Sequence, residues 1–214
     1  MAWHVAGWYR LREGTEARFH SLMRRLAPSI RVQPAMTEFW TLSAEDDPSH
    51  VLLLGRYRER ATAQPQRLYF SPEEEAEIQA CIEGLVVPAR WYQSVREAEN
   101  LAERRLVVTA LLLRVDPVHQ AGLRQWARSV QPQLLQLPGL GATRLLVAAD
   151  DPSQYLLVHE LRDWTIRPQV LATLQSYPFP TLVYQRPVFL GELYYQTAAS
   201  PAERAGRSSR RSTS

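Results

Sequence analysis

The side chains best able to move a proton in this chain are His159, Tyr9 and Tyr57. His159 and Glu160 are adjacent in an apolar stretch; if it is a strand, they point to opposite faces and cannot share one metal. His159 alone could serve as a general base or as an axial haem ligand. The blander reading of a lone strand histidine is a hydrogen-bonded or solvated ring. His4, His20, His50 and His119 show no i, i+4 pairing, so the spacing supports no metal centre. Glu160 and Arg162 lie two apart and read as a surface or seam ion pair. Cys81 is the only cysteine, which rules out an intrachain disulfide, and its place on an apolar helical stripe reads as a buried thiol. All 25 basic residues are arginine, which excludes a Schiff-base lysine and a Walker lysine. Gly139-Leu140-Gly141 follows a helical segment and lacks a third glycine, so it reads as a turn and not a dinucleotide loop.

Aromatic residues are concentrated in the first half of the chain. Trp3 and Tyr9 would share one face of a strand, with Trp8 on the other. The rings of the first half are Trp3, Trp8, Tyr9, Phe19, Phe39, Trp40, Tyr57, Tyr69, Phe70, Trp91 and Tyr92, and a pocket lined by such rings suits a flat aromatic ligand. The alternative is that these rings only fill the core. The polar candidates of the second half are His159 and Thr173.

The elements that must position these residues come as a repeat. Asp46-Asp47-Pro48-Ser49 recurs as Asp150-Asp151-Pro152-Ser153, and an ungapped offset of 104 from Trp3 to Arg60 gives 15 identities in 58 positions. Composition alone would give about four. The matches include Arg10 with Arg114, Pro28 with Pro132, Pro34 with Pro138, and Leu52-Leu53 with Leu156-Leu157. Turn residues in register mean that element boundaries coincide.

Each copy reads as strand, helix, strand, strand, helix, strand. The first strands are residues 3–11 and 106–115, rich in residues that suit a pleated surface. Phe19, Leu22, Met23 and Leu26 form a helical stripe, as do Leu123, Trp126, Ala127 and Val130. Asp116 and Pro117 suit a helix start, and Pro34 and Pro138-Gly139 suit a stop. Strands follow at 36–44 and 51–58, and at 142–148 and 155–161, each pair joined by an Asp-Pro turn. Ser71-Pro72-Glu73-Glu74-Glu75 opens the next helix, and Ile78, Cys81, Ile82 and Leu85 continue it as one stripe. The last strands are 90–95 and 188–196. This divides the chain into a first repeat at 1–96, a polar linker at 97–105, a second repeat at 106–197 and a disordered basic tail at 198–214.

The composition is globular, with 45% hydrophobic and 22% charged residues. The net charge of +3 resides in the tail; residues 1–197 hold 21 basic and 21 acidic side chains. A neutral body argues against a nucleic-acid platform. The start of the chain does not read as a signal peptide, and the longest apolar run, 106–113, is too short to span a bilayer. The expectation is a soluble, cytoplasmic protein with a small aromatic molecule as partner, no nucleic acid and no membrane.

The order of elements, the Pro138-Gly139 turn, the Asp-Asp-Pro hairpins and the run Tyr155 to Trp164 resemble the antibiotic biosynthesis monooxygenase domains of the dimeric α/β-barrel superfamily. The resemblance implies an α+β fold. Two tandem ferredoxin-like βαββαβ units would pack their four-stranded antiparallel sheets into one intramolecular α/β barrel, a monomeric pseudo-dimer or a homodimer of it. It also implies a pocket between sheet and helices, with an asparagine on the first strand, a tryptophan and, in haem degraders, a histidine on the second helix. Gly7 and Leu111 stand at the asparagine position, and Leu68 and Thr173 near the histidine position; Trp164 matches the tryptophan. Three readings stay open. One is a cofactor-independent monooxygenase-like enzyme acting on an aromatic or quinol-type molecule, with His159, Tyr9 or Tyr57 as base and Trp3, Trp40, Trp164 and Thr173 around the ligand. The second is a ligand-binding or scaffold duplicate without catalysis. The third is a haem-binding barrel with His159 as ligand; the other two need no cofactor.

Overall fold

The 104-residue offset governs where the elements fall. The first half contains β1 (Trp3–Leu11), α1 (Glu16–Arg25), α2 (Ala27–Arg31), β2 (Met36–Ala44), β3 (His50–Tyr57), α3 (Pro72–Cys81) and β4 (Ile82–Glu99). The second contains β5 (Val107–Arg114), α4 (Gln120–Leu134), β6 (Leu140–Ala148), β7 (Gln154–Leu161), α5 (Arg167–Ser176) and β8 (Val183–Gln196). Adding 104 to the bounds of β2 and β3 gives those of β6 and β7. The computed structural model describes residues 2–31, 35–60, 70–100, 102–103, 105–176 and 183–196. Pro34, Leu68 and the basic tail lie outside these residues.

The eight strands close into one antiparallel barrel in the order β1-β3-β2-β8-β5-β7-β6-β4. Each half contributes the same run, fourth strand, first, third, second, as two ferredoxin-like units require. Two seams join the halves: Ser43 pairs with Leu190 between β2 and β8, and Gln93 with Val147 between β4 and β6. Every pairing is antiparallel, so β1, β2, β5 and β6 run one way and the other four run back. Closure removes the edge that an open sheet would expose.

Strand alternation sorts the side chains into a lumen and an outer layer. Ala6, Trp40, Leu42, Leu54, Tyr92, Ala110, Leu146, Leu156 and Phe189 pack together inside the barrel. The outer layers lie beneath the helices. In the first half Phe19, Leu22 and Met23 of α1, with Leu26 just past its end, cover Leu11, Phe39 and Val51. The same stripe on α4, residues Leu123, Ala127 and Val130, is buried over the second half. The Asp-Asp-Pro-Ser turns match atom for atom. Asp47 Oδ1 accepts from Ser49 N at 3.0 Å and Oγ at 2.6 Å, and Asp151 Oδ1 accepts from Ser153 at the same two distances.

Three local expectations need correction. The stripe through Ile78, Cys81, Ile82 and Leu85 does not continue as helix, because Ile82 is already extended and begins β4. Pairing with β1 from Ile82 to Gln93 outweighs the local periodicity. The last strand of the first half is therefore Ile82–Glu99 rather than 90–95, and it takes in residues 97–99 of the expected linker. Asp116 makes no side-chain cap; Pro117–His119 form a 3-10 turn and α4 starts at Gln120. Ser71 does cap α3 as expected, with its Oγ accepting from Glu74 N and its own N–H donating to Glu74 Oε2.

Candidate functional site

The outer layer of the first half brings Trp3, Trp91 and Tyr57 together, and Tyr9 lies on the same face of the neighbouring strand. Gly7 and Gly55 lie on the neighbouring strands β1 and β3, both on the face toward the helices. Each precedes a tyrosine by two positions, and the tyrosine ring lies back over the bare backbone. A Cβ on Gly7 would sit 3.0 Å from Tyr9 Cε2, 3.0 Å from its hydroxyl and 3.1 Å from Ala89 Cβ. One on Gly55 would sit 3.0 Å from Tyr57 Cε2 and 3.6 Å from its hydroxyl. Only glycine gives the rings this approach. Trp91 packs edge-on against Tyr57 with centroids 5.2 Å apart, and against Trp3 at 6.3 Å. The Arg60 guanidinium stands 5.3 Å over the Trp3 ring.

Burial sets the protonation of both phenols. It raises Tyr9 above the ordinary tyrosine value and pushes Tyr57 up to about 12. Near neutral pH both are therefore protonated, and each offers a hydrogen-bond donor rather than a base.

The other expected site residues are not gathered here. Trp40 is a lumen residue, packed in the apolar cluster on the far side of the sheet. Trp164 opens a 3-10 turn and is 39% exposed. Thr173 lies on α5, where its hydroxyl donates to Gln169 O at 2.9 Å. His159 is fully buried in the outer layer of the second half, where burial pulls it down to about 4. It is 1% exposed within the packed outer layer, and that burial does not fit a haem. No group of three or more His, Cys, Asp or Glu among the described residues is placed to hold a metal.

His159 and Glu160 do face opposite sides of β7, but Glu160 does not pair with Arg162. It points into the lumen, bonded to Arg144 and, at 3.2 Å, to Arg105. Arg162 pairs instead with Asp163 at 3.1 Å. Glu160 belongs to a network of charges closing one end of the barrel. Arg144 donates to Glu97 at 2.6 Å and Glu99 at 2.7 Å, Arg105 to Glu99 at 3.1 Å, and Arg56 to Glu38 at 3.2 Å and Glu97 at 2.8 Å. Burial and Glu160 raise Glu38. Burial would raise Glu99 too, but Arg144, Arg105 and Arg56 together hold it well below the carboxylate range. His4 lies buried beside this network and is kept neutral by burial, Arg144 and Arg56.

Sequence reasoning counted Trp91 among the rings of the first half but missed Gly7 and Gly55 as the floor beneath the tyrosines. A signal was present: Gly-x-Tyr occurs at 7–9 and again at 55–57, on strands that are neighbours in the sheet. Neither the network nor its closing role carried such a signal, because its charges read as solvated.

No protein-family model matches the chain, and neither does any curated protein. Solved structures do. A candidate monooxygenase from Fusobacterium nucleatum superimposes with a TM-score of 0.67 at 11% identity, covering 92% of this chain and 93% of the other. One from Lactobacillus acidophilus gives 0.67 at 8% identity, with 92% and 98% covered. An anthrone oxidase-like protein gives 0.56 at 10% identity, with 90% and 91% covered. At such identities the likeness shows the fold. The fold is a closed α/β barrel built from two ferredoxin-like units in one chain, as the resemblance to antibiotic biosynthesis monooxygenase domains implies.

Proposed function

We propose that the outer layer of the first half binds a flat aromatic small molecule of the quinol or hydroxyanthrone type and oxidises it with dioxygen without a cofactor, a quinol giving quinone and hydrogen peroxide and a hydroxyanthrone giving the hydroxyanthraquinone and water. The observation that carries this reading is the pair of protonated tyrosines lying over Gly7 and Gly55 on neighbouring strands, with Trp91 packed edge-on against Tyr57 and Trp3 against Trp91. The shared fold of the candidate monooxygenases and of the anthrone oxidase-like protein supports the reaction class. Gly7 stands where the resemblance implies an asparagine, and the Tyr9 hydroxyl occupies the space of the missing side chain, so a neutral donor remains there. Two such donors stabilise the oxyanion of an ionised quinol, the electron-rich form that reacts with dioxygen. The proton leaves to solvent water, since the site brings no histidine or carboxylate to the tyrosines among the described residues.

The second half does not repeat this arrangement. Leu111, Leu113, His159, Leu161 and Val107 stand where the first half has Gly7, Tyr9, Gly55, Tyr57 and Trp3. The test is oxygen uptake with a panel of hydroxyanthrones and quinols, together with quenching of tryptophan fluorescence. Tyr9→Phe and Tyr57→Phe should each lower kcat/KM about 10- to 100-fold, the usual loss for one oxyanion donor or slightly less. Quenching without oxygen uptake would leave a binding protein, the second reading; neither signal with any member of the panel would refute both.

A further inference from the structure

The outer layer of the second half is crossed by a row of polar side chains that the first half lacks. Thr109, His159 and Thr143 are successive cross-strand partners on β5, β7 and β6, all facing the helices. Gln131 reaches down from α4, donating from Nε2 to Thr143 O at 3.5 Å and accepting from Arg96 Nε at 3.2 Å. All four of Thr109, His159, Thr143 and Gln131 are buried, at 4%, 1%, 0% and 1% exposure. Both ring nitrogens of His159 and the Thr143 hydroxyl have no hydrogen-bond partner among the described residues.

The row also interrupts the apolar packing. On one side lie Val130, Leu134, Leu161 and Val170, and on the other Leu123, Ala127, Leu145 and Leu157, as two separate clusters with only Trp126 touching both. The first half has a single continuous cluster, and its residues at the matching positions are Val5, Gly55, Phe39 and Ala27. The polar row is therefore no requirement of the shared architecture. Buried polar atoms left unpaired are unfavourable, and a neutral imidazole beside two hydroxyls presents both donors and acceptors. The leucine and valine walls disfavour a charged occupant.

We infer that Thr109, His159, Thr143 and Gln131 form a second binding site, for a small uncharged molecule that both donates and accepts hydrogen bonds, such as water or a short amide. This site is independent of the aromatic one, and its test reads neither oxygen uptake nor quenching.

The experiment uses the whole protein with 15N-labelled histidine, assigning the His159 ring by His159→Gln. A ring N–H with a cross-relaxation peak to a long-lived water supports the site and identifies water as its occupant. A saturable shift of the ring nitrogens on titration with formamide supports the site and identifies an organic amide. Thr143→Val should then lower Tm by several degrees, with Thr143→Ser restoring it, because the occupant loses a partner. A ring showing neither water contact nor formamide response, with Thr143→Val raising Tm, would mean a dry and merely unpaired row and would overturn the inference.

Discussion

At the scale of single residues, protonation states are set by where the fold buries each group. Tyr9 and Tyr57 lie beneath helices and hold their protons, which turns two candidate bases into two donors. His159 is depressed to about 4 from an ordinary 6.5, so the folded protein keeps it neutral while the unfolded chain protonates it below 6.5. A group lowered in the folded state gives its full stabilisation above the unfolded value and loses it as pH falls. Stability should therefore drop between about pH 6.5 and pH 4, by roughly 3 kcal/mol from this residue. His4 acts in the same direction. Urea unfolding of His159→Leu across that window should show a shallower decline than wild type, and an unchanged slope would contradict the assignment.

Among the elements, the short helices and the long fourth strand behave differently toward sequence reasoning. Helix α3 announces itself locally, since Ser71, Pro72 and Glu74 make a cap whatever surrounds them. Ser71→Ala should cost about 1 kcal/mol in chemical denaturation, as loss of an N-cap does. Strand β4 does not announce itself. Residues 82–85 continue a helical periodicity, and only pairing along β1 draws them into the sheet. Residues 97–99 look like a solvated linker because Glu97 and Glu99 are charged, yet both reach the buried Arg144. Local chemistry was legible in the Asp-Pro turns, the Ser71 cap and the stripes of α1 and α4, but not at Asp116, which makes no cap. The aromatic site was partly legible, through Trp3, Tyr9 and Tyr57, but Trp40 joins the lumen because its parity on β2 opposes theirs. Pairings between distant strands leave no local trace.

For the molecule as a whole, the barrel depends on what fills its ends as well as on its walls. Arg144 has no exposed surface and serves three carboxylates, those of Glu97, Glu99 and Glu160. Arg144→Met should leave Glu97, Glu99 and Glu160 with Arg56 and Arg105 to answer them and cost about 3–5 kcal/mol, read from equilibrium unfolding. Adding Glu160→Gln should recover part of that loss, because it removes a buried charge left short of a partner. Among the described residues no helix is long and apolar enough to cross a membrane.

Arg56 and Glu160 occupy the same position in the two copies, 104 residues apart, and carry opposite charges. Two identical chains meeting about a two-fold axis would carry the same charge at that position twice. Within one polypeptide the two positions are free to differ, and here each is answered by other members of the network. The halves have become lock and key, so neither should accept a second copy of itself, and a change that suits one will generally have to be answered in its counterpart.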